Sequence, residues 1–324
     1  AGGSDGTMTN EMFETLVGVE MDKYADAMDP VQDIAYNVES WLYDSGFSLD
    51  TKFKLAQFIS IRKDTTVVMG THTVGEATMT ESEEHSIAVS LRTRLQMYPE
   101  SDYFGTPVAR AMIMGRSGIV RDSEYTQRVP CTFELLSKFA KYMGASNGAW
   151  KSGSSPEGSP GNLITRMRDI NVTWIPDIIR NQDWDVGLNW ILRFDRERFF
   201  IPAYKTVYDD DTSVLNSILT TAAIAYLNKL AQACWRTLTG RSDLSEAQLC
   251  DRTNAYINDN TKGKFDNRYV IIPAATITDM DSLRGFTWSL PIKIGADNMK
   301  TVMTTWIESY RKADLAPTTN SSGV

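Results

Sequence analysis

The sequence predicts an α/β protein, and three stretches predict it. Residues 41–69 place an amphipathic segment, 49–61, between two short apolar runs, Trp41 to Tyr43 and Thr65 to Met69, which is the alternation of a βαβ unit. Residues 108–121 give two further apolar runs around a turn from Gly115 to Gly118. Residues 213–237 are the longest helix the chain can hold, with Leu215, Leu219, Ala222, Tyr226, Leu230 and Ala233 recurring at intervals of three and four.

That long helix carries a second apolar stripe, Ile224, Leu227, Ala231 and Trp235, on nearly the opposite side. It must therefore be covered twice, either by a sheet and another layer or by a neighbouring subunit. Asp209, Asp210, Asp211 and Thr212 are expected to cap its start, and Gly240 to close it. The three aspartates could also hold a hard cation, but no further oxygen ligands are apparent around them.

The totals narrow the function classes. At 324 residues and 42% hydrophobic content the chain can bury a sizeable core, and two domains are expected. With 33 Lys plus Arg against 41 Asp plus Glu the formal charge is −8, which disfavours general nucleic-acid binding and points to protein partners. No run reaches the roughly 18 apolar residues of a membrane span, so no membrane insertion is expected. Cys131, Cys234 and Cys250 form no Cys-x-x-Cys pair and read as reduced thiols in apolar positions, as synthesis in a reducing cytoplasm would leave them.

In chain order, Gly2 to Gly6 suit a tight turn and lack the Gly-x-Gly-x-x-Gly spacing of a phosphate cradle. Residues 9–28 read as a helix broken at Asp29-Pro30. Thr80 with Glu83 forms a capping box, opening a helix whose buried face is Ile87, Leu91 and Leu95. On it Glu81 and His85 are expected to pair one turn apart; with His72 they match no common metal spacing. Arg92, Arg94, Arg110, Arg116, Arg121 and Arg128 make this region basic, as a solvated face or as contacts between subunits. Pro130 is expected to begin a helix containing Phe133, Leu136, Phe139 and Ala140 that ends at Gly144. Residues 144–162, rich in Gly, Pro and Ser, read as a surface insertion, followed by strand-like residues 170–179. Residues 244–257 read as a helix and 258–263 as a turn, which is no calcium loop because Lys262 and Tyr269 fall at ligand positions. Strand-like runs 269–278 and 286–294 and a last helix, 297–312, complete the chain before a flexible tail, 317–324.

Asp44-Ser45-Gly46 followed by Gly70-Thr71-His72-Thr73-Val74-Gly75 resembles the aspartate and histidine motifs of subtilisin-type proteases. The likeness is partial. Met69 stands where that family has its catalytic histidine, His72 matches the second, non-catalytic one, and the nucleophile motif is absent. Ser117, the nearest glycine-flanked serine, falls in the turn. Without a base or a placed nucleophile, serine has no route for proton transfer, so no enzyme activity is expected.

A wider resemblance runs through Gly2-Gly3-Ser4-Asp5-Gly6, Lys205-Thr206-Val207-Tyr208, the helix ending at Leu238-Thr239-Gly240, and Cys250-Asp251 followed by Asn254. In that order these segments resemble the tail sheath protein of contractile-tailed bacteriophages, giant-phage-like branch. The resemblance implies a subtilisin-like core at 1–200, a smaller C-terminal α+β domain at 201–316, and no cofactor. It implies a structural subunit that polymerises around a tail tube and contracts to drive it through the host envelope. The partners would be other copies of the chain and the tube protein, in a virion tail assembled in the host cytoplasm. The family's terminal arms join neighbours by strand addition, so a truncated or proteolysed core is expected here. Lys293, Lys300, Arg311 and Lys312, on and beside the last helix, are the candidate surface facing the tube or a subunit. The alternatives are a subtilisin-fold hydrolase, or the sheath of a bacteriocin or secretion machine.

Overall fold

The computed structural model describes residues 10–34, 37, 41–76, 79–98, 106–121, 124, 126–144, 163–171, 175–193, 198–265, 269–285 and 287–296. The glycine-rich start, the bulk of the 144–162 insertion, the 297–312 helix and the 317–324 tail lie outside them.

The chain opens with α1 (Asn10–Ala25), β1 (Trp41–Tyr43), α2 (Leu49–Ile61), β2 (Thr66–Gly70), α3 (Glu81–Gln96) and β3 (Ala111–Met114). A small antiparallel sheet comes next, in which β4 (Ser117–Val120) lies between β5 (Val129–Pro130) and β6 (Met167–Arg168), with α4 (Thr132–Gly144) between β5 and β6 in sequence. Then come α5 (Asp177–Asp185), β7 (Leu188–Asn189) and the β8 (Leu192–Arg193) and β9 (Phe199–Phe200) ribbon. The C-terminal part comprises α6 (Ile218–Leu238), α7 (Glu246–Thr261), β10 (Tyr269–Pro273), α8 (Asp279–Arg284) and β11 (Ile292–Ala296).

The centre is a parallel sheet in the order β1-β2-β3-β7. A parallel sheet covered on both faces needs apolar residues at every position, and all five residues of β2 and all four of β3 are buried. Their alternation sorts the layers. Val67, Met69 and Ile113 pack with α1, α2 and α3 on one face, while Val68, Met112 and Met114 pack with α4 and α6 on the other. Ile201, Tyr204 and the start of α6 belong to this second cluster, so chain on both sides of residue 200 shares one core.

The long helix spans two environments. Its first turns, Ile218 to Ala223, are buried all round against the sheet. Its second half buries only Leu230, Cys234 and Leu238, which meet α7 and the approach to β11 in a third cluster, and Trp235 is 54% exposed. Of the second predicted stripe, Leu227 is buried and Ile224 half-buried, while Trp235 faces solvent. The helix also starts later than expected. A 3-10 turn at 214–216, capped by Ser213, precedes it, and Asp210 and Asp211 hold that turn instead of the helix. Gly240 does come after the helix in the left-handed region, at φ 73.

Other boundaries differ from expectation for local reasons. The Gly115–Gly118 segment is no hairpin, because Arg116 at φ 72 turns the chain from one sheet into another. Pro130 ends a strand, and α4 turns Leu135 and Phe139 inward while Phe133 and Leu136 stay more than a third exposed. Residues 177–179 are helical, in α5. Helix α7 runs on to Thr261, through most of the expected turn. The strand beginning at Tyr269 stops at Pro273, Thr278 caps α8, and its partner is confined to 292–296. Among the described residues no helix is long and apolar enough to cross a membrane.

Candidate functional site

In a parallel α/β sheet, chemistry collects at the carboxyl ends of the strands. Here those ends carry Asp44 after β1, Thr71 and His72 after β2, and Arg116 and Ser117 after β3, all buried. The residues that echo a protease therefore do lie along one edge. Their contacts fill it.

Asp44 accepts hydrogen bonds from the amides of Gly46 and Phe47, both 2.8 Å, and of Gly70, 2.8 Å. Lys52 approaches its Oδ2 at 3.3 Å and donates to the His72 carbonyl at 2.9 Å. Asp44 and His72 are thus joined through a lysine, and Asp44 has no imidazole partner. Two glycines make this packing possible. A Cβ on Gly46, at φ 107, would lie 2.6 Å from the Val74 side chain, and one on Gly70 would lie 2.6 Å from Pro130.

His72 Nδ1 is 3.0 Å from the Thr71 hydroxyl, which donates to Glu84 at 3.0 Å, and Nε2 accepts from the Met79 amide at 3.4 Å. This pattern assigns the neutral tautomer with its proton on Nδ1. Burial lowers the His72 pKa to about 4, and the charges of Lys52 and Arg116 also lower it. Met69, at the catalytic-base position of the motif, is fully buried beneath α1–α3. Ser117 accepts from Arg128 Nε at 3.1 Å, and among the described residues no base is bonded to its hydroxyl.

The adjoining cluster centres on Glu84. It accepts from the Arg116 amide at 2.8 Å and from the guanidinium at 3.0 Å, and Arg116 reaches Glu81 at 3.2 Å and lies over the Trp190 ring, 4.5 Å from its centre. Burial pushes the Glu84 pKa up to about 7, against the opposing pull of Arg116. His85 bonds Asp183 at 2.7 Å, and Trp190 donates to the same carboxylate at 2.8 Å. Glu81 and His85 therefore do not pair with each other, because each has a buried partner across the layer. Arg110 and Arg116 are buried structural groups, contrary to a wholly solvated basic face. Lys205 of the 205–208 motif binds the Trp184 carbonyl at 2.7 Å and Asp211 at 3.0 Å, which leaves that aspartate engaged.

Lys52 and Glu84 escaped the sequence reading, yet a signal was there. Lys52 shares the stripe of Leu55, Ala56 and Ile59, and Glu84 that of Ala88, Leu91 and Leu95. A charge at a core-facing helical position requires a buried partner. Among the described residues no group of three or more His, Cys, Asp or Glu could hold a metal. Cys131 and Cys234 are free and buried, Cys250 is free and partly buried, and burial raises the pKa of all three. A cavity of about 540 Å³ lies beside β7, lined by Trp184, Trp190, Leu192 and Arg180 among others.

Of the candidate surface residues, Lys293 is exposed on β11 opposite Ile272; Lys300, Arg311 and Lys312 lie outside the described residues.

No protein-family model matches the sequence, and no curated protein matches it. Solved structures do resemble the fold. The PVC sheath complex of an extracellular contractile injection system, in its contracted state, is similar over 96% of this chain and 88% of that one, with a TM-score of 0.57 and 12% identity. The contracted helical sheath of the anti-feeding prophage gives 0.46 over 83% of this chain and 76% of its own, also at 12% identity. A sheath tail protein from Desulfitobacterium hafniense gives 0.47 at 9% identity over 91% of this chain and 62% of its own. The chain has the fold of the first of these, and the other two are weaker likenesses.

Proposed function

We propose that this chain is a structural subunit of a contractile sheath. The observation that carries the reading is the likeness to the PVC sheath, which extends over 96% of the chain. Many copies would surround a tube in an extended state and pass, largely as rigid bodies, to a lower-energy contracted state. The filled sheet edge supports this. A unit moved as a rigid body gains from a closed polar network, and Asp44, Ser117 and His72 are spent in that network instead of forming a triad.

The proposal includes a subtilisin-like arrangement for 1–200 with its chemistry lost, and a C-terminal α+β unit at 201–316 attached through α6. It places the tube or a neighbouring subunit against the surface of Lys293, Lys300, Arg311 and Lys312. The particle would be a phage tail or a related injection machine, and the chain would act there outside any membrane.

Electron microscopy and solution mass on the purified chain, across salt and pH, test the reading. Rings or tubes are the expected result. A monomer under all conditions, combined with ester or peptide hydrolysis that Ser117→Ala abolishes, would overturn it in favour of a hydrolase.

A further inference from the structure

Two elements carry a second apolar face besides the one they bury. On α1, Val17, Met21 and Tyr24 pack inward, in the cluster shared with α2 and α3. Met12, Leu16 and Val19 recur at four and three residues along the outer side, 53%, 58% and 64% exposed. On the β10–β11 hairpin, Tyr269, Ile294 and Ala296 turn inward. The outer face of its ladder is Val270 and Ile272, 60% and 54% exposed, opposite Gly295 and Lys293. A Cβ on Gly295 would meet nothing closer than Val270, at 4.0 Å, so this face is a shallow apolar trough.

One copy cannot bring the two faces together, because α1 lies on the α2–α3 side of the central sheet and the hairpin packs on the α4–α6 side. Charge then decides which pairs between copies are allowed. Glu11, Glu20 and Asp22 border the stripe, and Lys23 and Lys54 answer only two of them, so the border is net acidic. The trough carries the exposed Lys293. Helix on helix would set carboxylates against carboxylates, and trough on trough would set Lys293 against Lys293. Helix on trough sets opposite charges together around two apolar surfaces. The lengths agree as well: the stripe runs about 10 Å along its helix, and five-residue strands give a face about 17 Å long.

We infer that α1 of one copy seats Met12, Leu16 and Val19 in the trough of Val270, Ile272 and Gly295 on the next copy, with its acidic border against Lys293. The contact is head to tail. Each pair keeps one unused stripe and one unused trough, so association propagates into a ring or a filament instead of stopping at a dimer. The choice of a second copy as occupant rests on the sheath reading, in which Lys293 faces the tube or a subunit. The inference assigns Lys293 to the subunit and names the surface that meets it.

Solution mass and electron microscopy on the full chain and two double variants test it. Leu16→Glu with Val19→Glu removes the stripe, and Val270→Glu with Ile272→Glu removes the trough. All four side chains are more than half exposed, so each variant should keep its fold, which hydrogen exchange in 66–70, 111–114 and 292–296 checks. The parent should grow past the dimer as concentration rises. Each variant alone should stay monomeric. An equal mixture of the two should give one-to-one dimers and nothing larger, because one intact stripe meets one intact trough. Lys293→Glu should weaken association of the parent about tenfold. The inference fails if either variant alone associates as the parent does, or if the mixture stays monomeric. Tubes that form equally well from both variants would overturn it and keep the sheath reading. One-to-one dimers from the mixture, with a parent that builds neither rings nor tubes, would keep the interface and overturn the sheath. A parent monomeric at every concentration overturns the inference and leaves both faces to a different protein.

Discussion

Glu84 and Asp281 stand in the two halves of the molecule, and their acidities are displaced in opposite directions. Glu84 sits fully buried at the sheet edge, where burial outweighs Arg116 and its other donors and carries its pKa to about 7. Asp281, in the C-terminal unit, accepts from the Thr278 amide at 2.9 Å and from the hydroxyls of Thr278, Ser289 and Thr287 at 2.7, 2.8 and 3.0 Å. Those donors hold its pKa down at about 2. The first half confines its charges in a dry interior, where each requires a partner. The second uses a buried carboxylate, satisfied by one amide and three hydroxyls, to tie a short helix to the strand approach beside it. Disruption of the first should therefore threaten the whole fold, and disruption of the second should be local.

The largest effect that would test this contrast is Asp44→Ala. It strands the Lys52 charge and the amides of Gly46, Phe47 and Gly70, so a loss of about 3–5 kcal/mol is expected in denaturant unfolding. A loss no greater than that of a surface substitution would break the comparison.

The pH dependence sharpens it. Glu84 binds a proton more tightly folded than unfolded, so its contribution to stability is present below about 4.5 and is lost as pH rises towards 7. His72 acts in the reverse sense: folding disfavours its charged form, and its contribution, present above 6.5, is lost as pH falls towards 4. Between 4.5 and 6.5 the two slopes oppose each other. Glu84→Gln should unmask stability that rises with pH in that window, and His72→Gln stability that falls. Chemical denaturation at half-unit pH steps reads the sign; unchanged slopes in both variants would refute the assignment.

A smaller change is expected from Asp281→Asn, largest at neutral pH and vanishing as pH falls towards 2, where the native carboxylate is itself protonated. Hydrogen exchange should confine the effect to α8 and the strands beside it. Least of all, Leu283→Ser, at a side chain 81% exposed, should leave the unfolding midpoint within about 0.5 kcal/mol of the parent.

The central sheet was legible because its strands and helices obey local rules. The ranges 41–43, 49–61 and 66–70 and the capping box at Thr80 arise from hydrophobic period and cap chemistry, which act within a few residues. The features that were not legible depend on partners distant in sequence. Arg116 is drawn out of a turn by Glu84, and His85 is drawn from Glu81 by Asp183, 98 residues away. The inward face of α4 was not legible because Phe133 and Leu136 are as apolar as Leu135 and Phe139; the buried Glu134, holding the Thr165 and Arg166 amides, marks the inward side together with Leu135.

The placement of α6 has a consequence for how the chain is made. Strands β1, β2 and β3, with α1 to α3, are complete once Met114 has been synthesised, and one face of the young sheet is then covered. The other face, Val68, Met112 and Met114, is covered in part by Leu135 and Phe139 of α4 and waits for Ile218, Leu219, Ala222 and Ala223, which emerge from the ribosome far later. At about 5–20 residues per second that interval lasts seconds, long compared with the collapse of a small chain. The nascent chain thus carries a half-covered sheet until α6 has been made, and slowing synthesis between α4 and α6 should raise the fraction lost to aggregation.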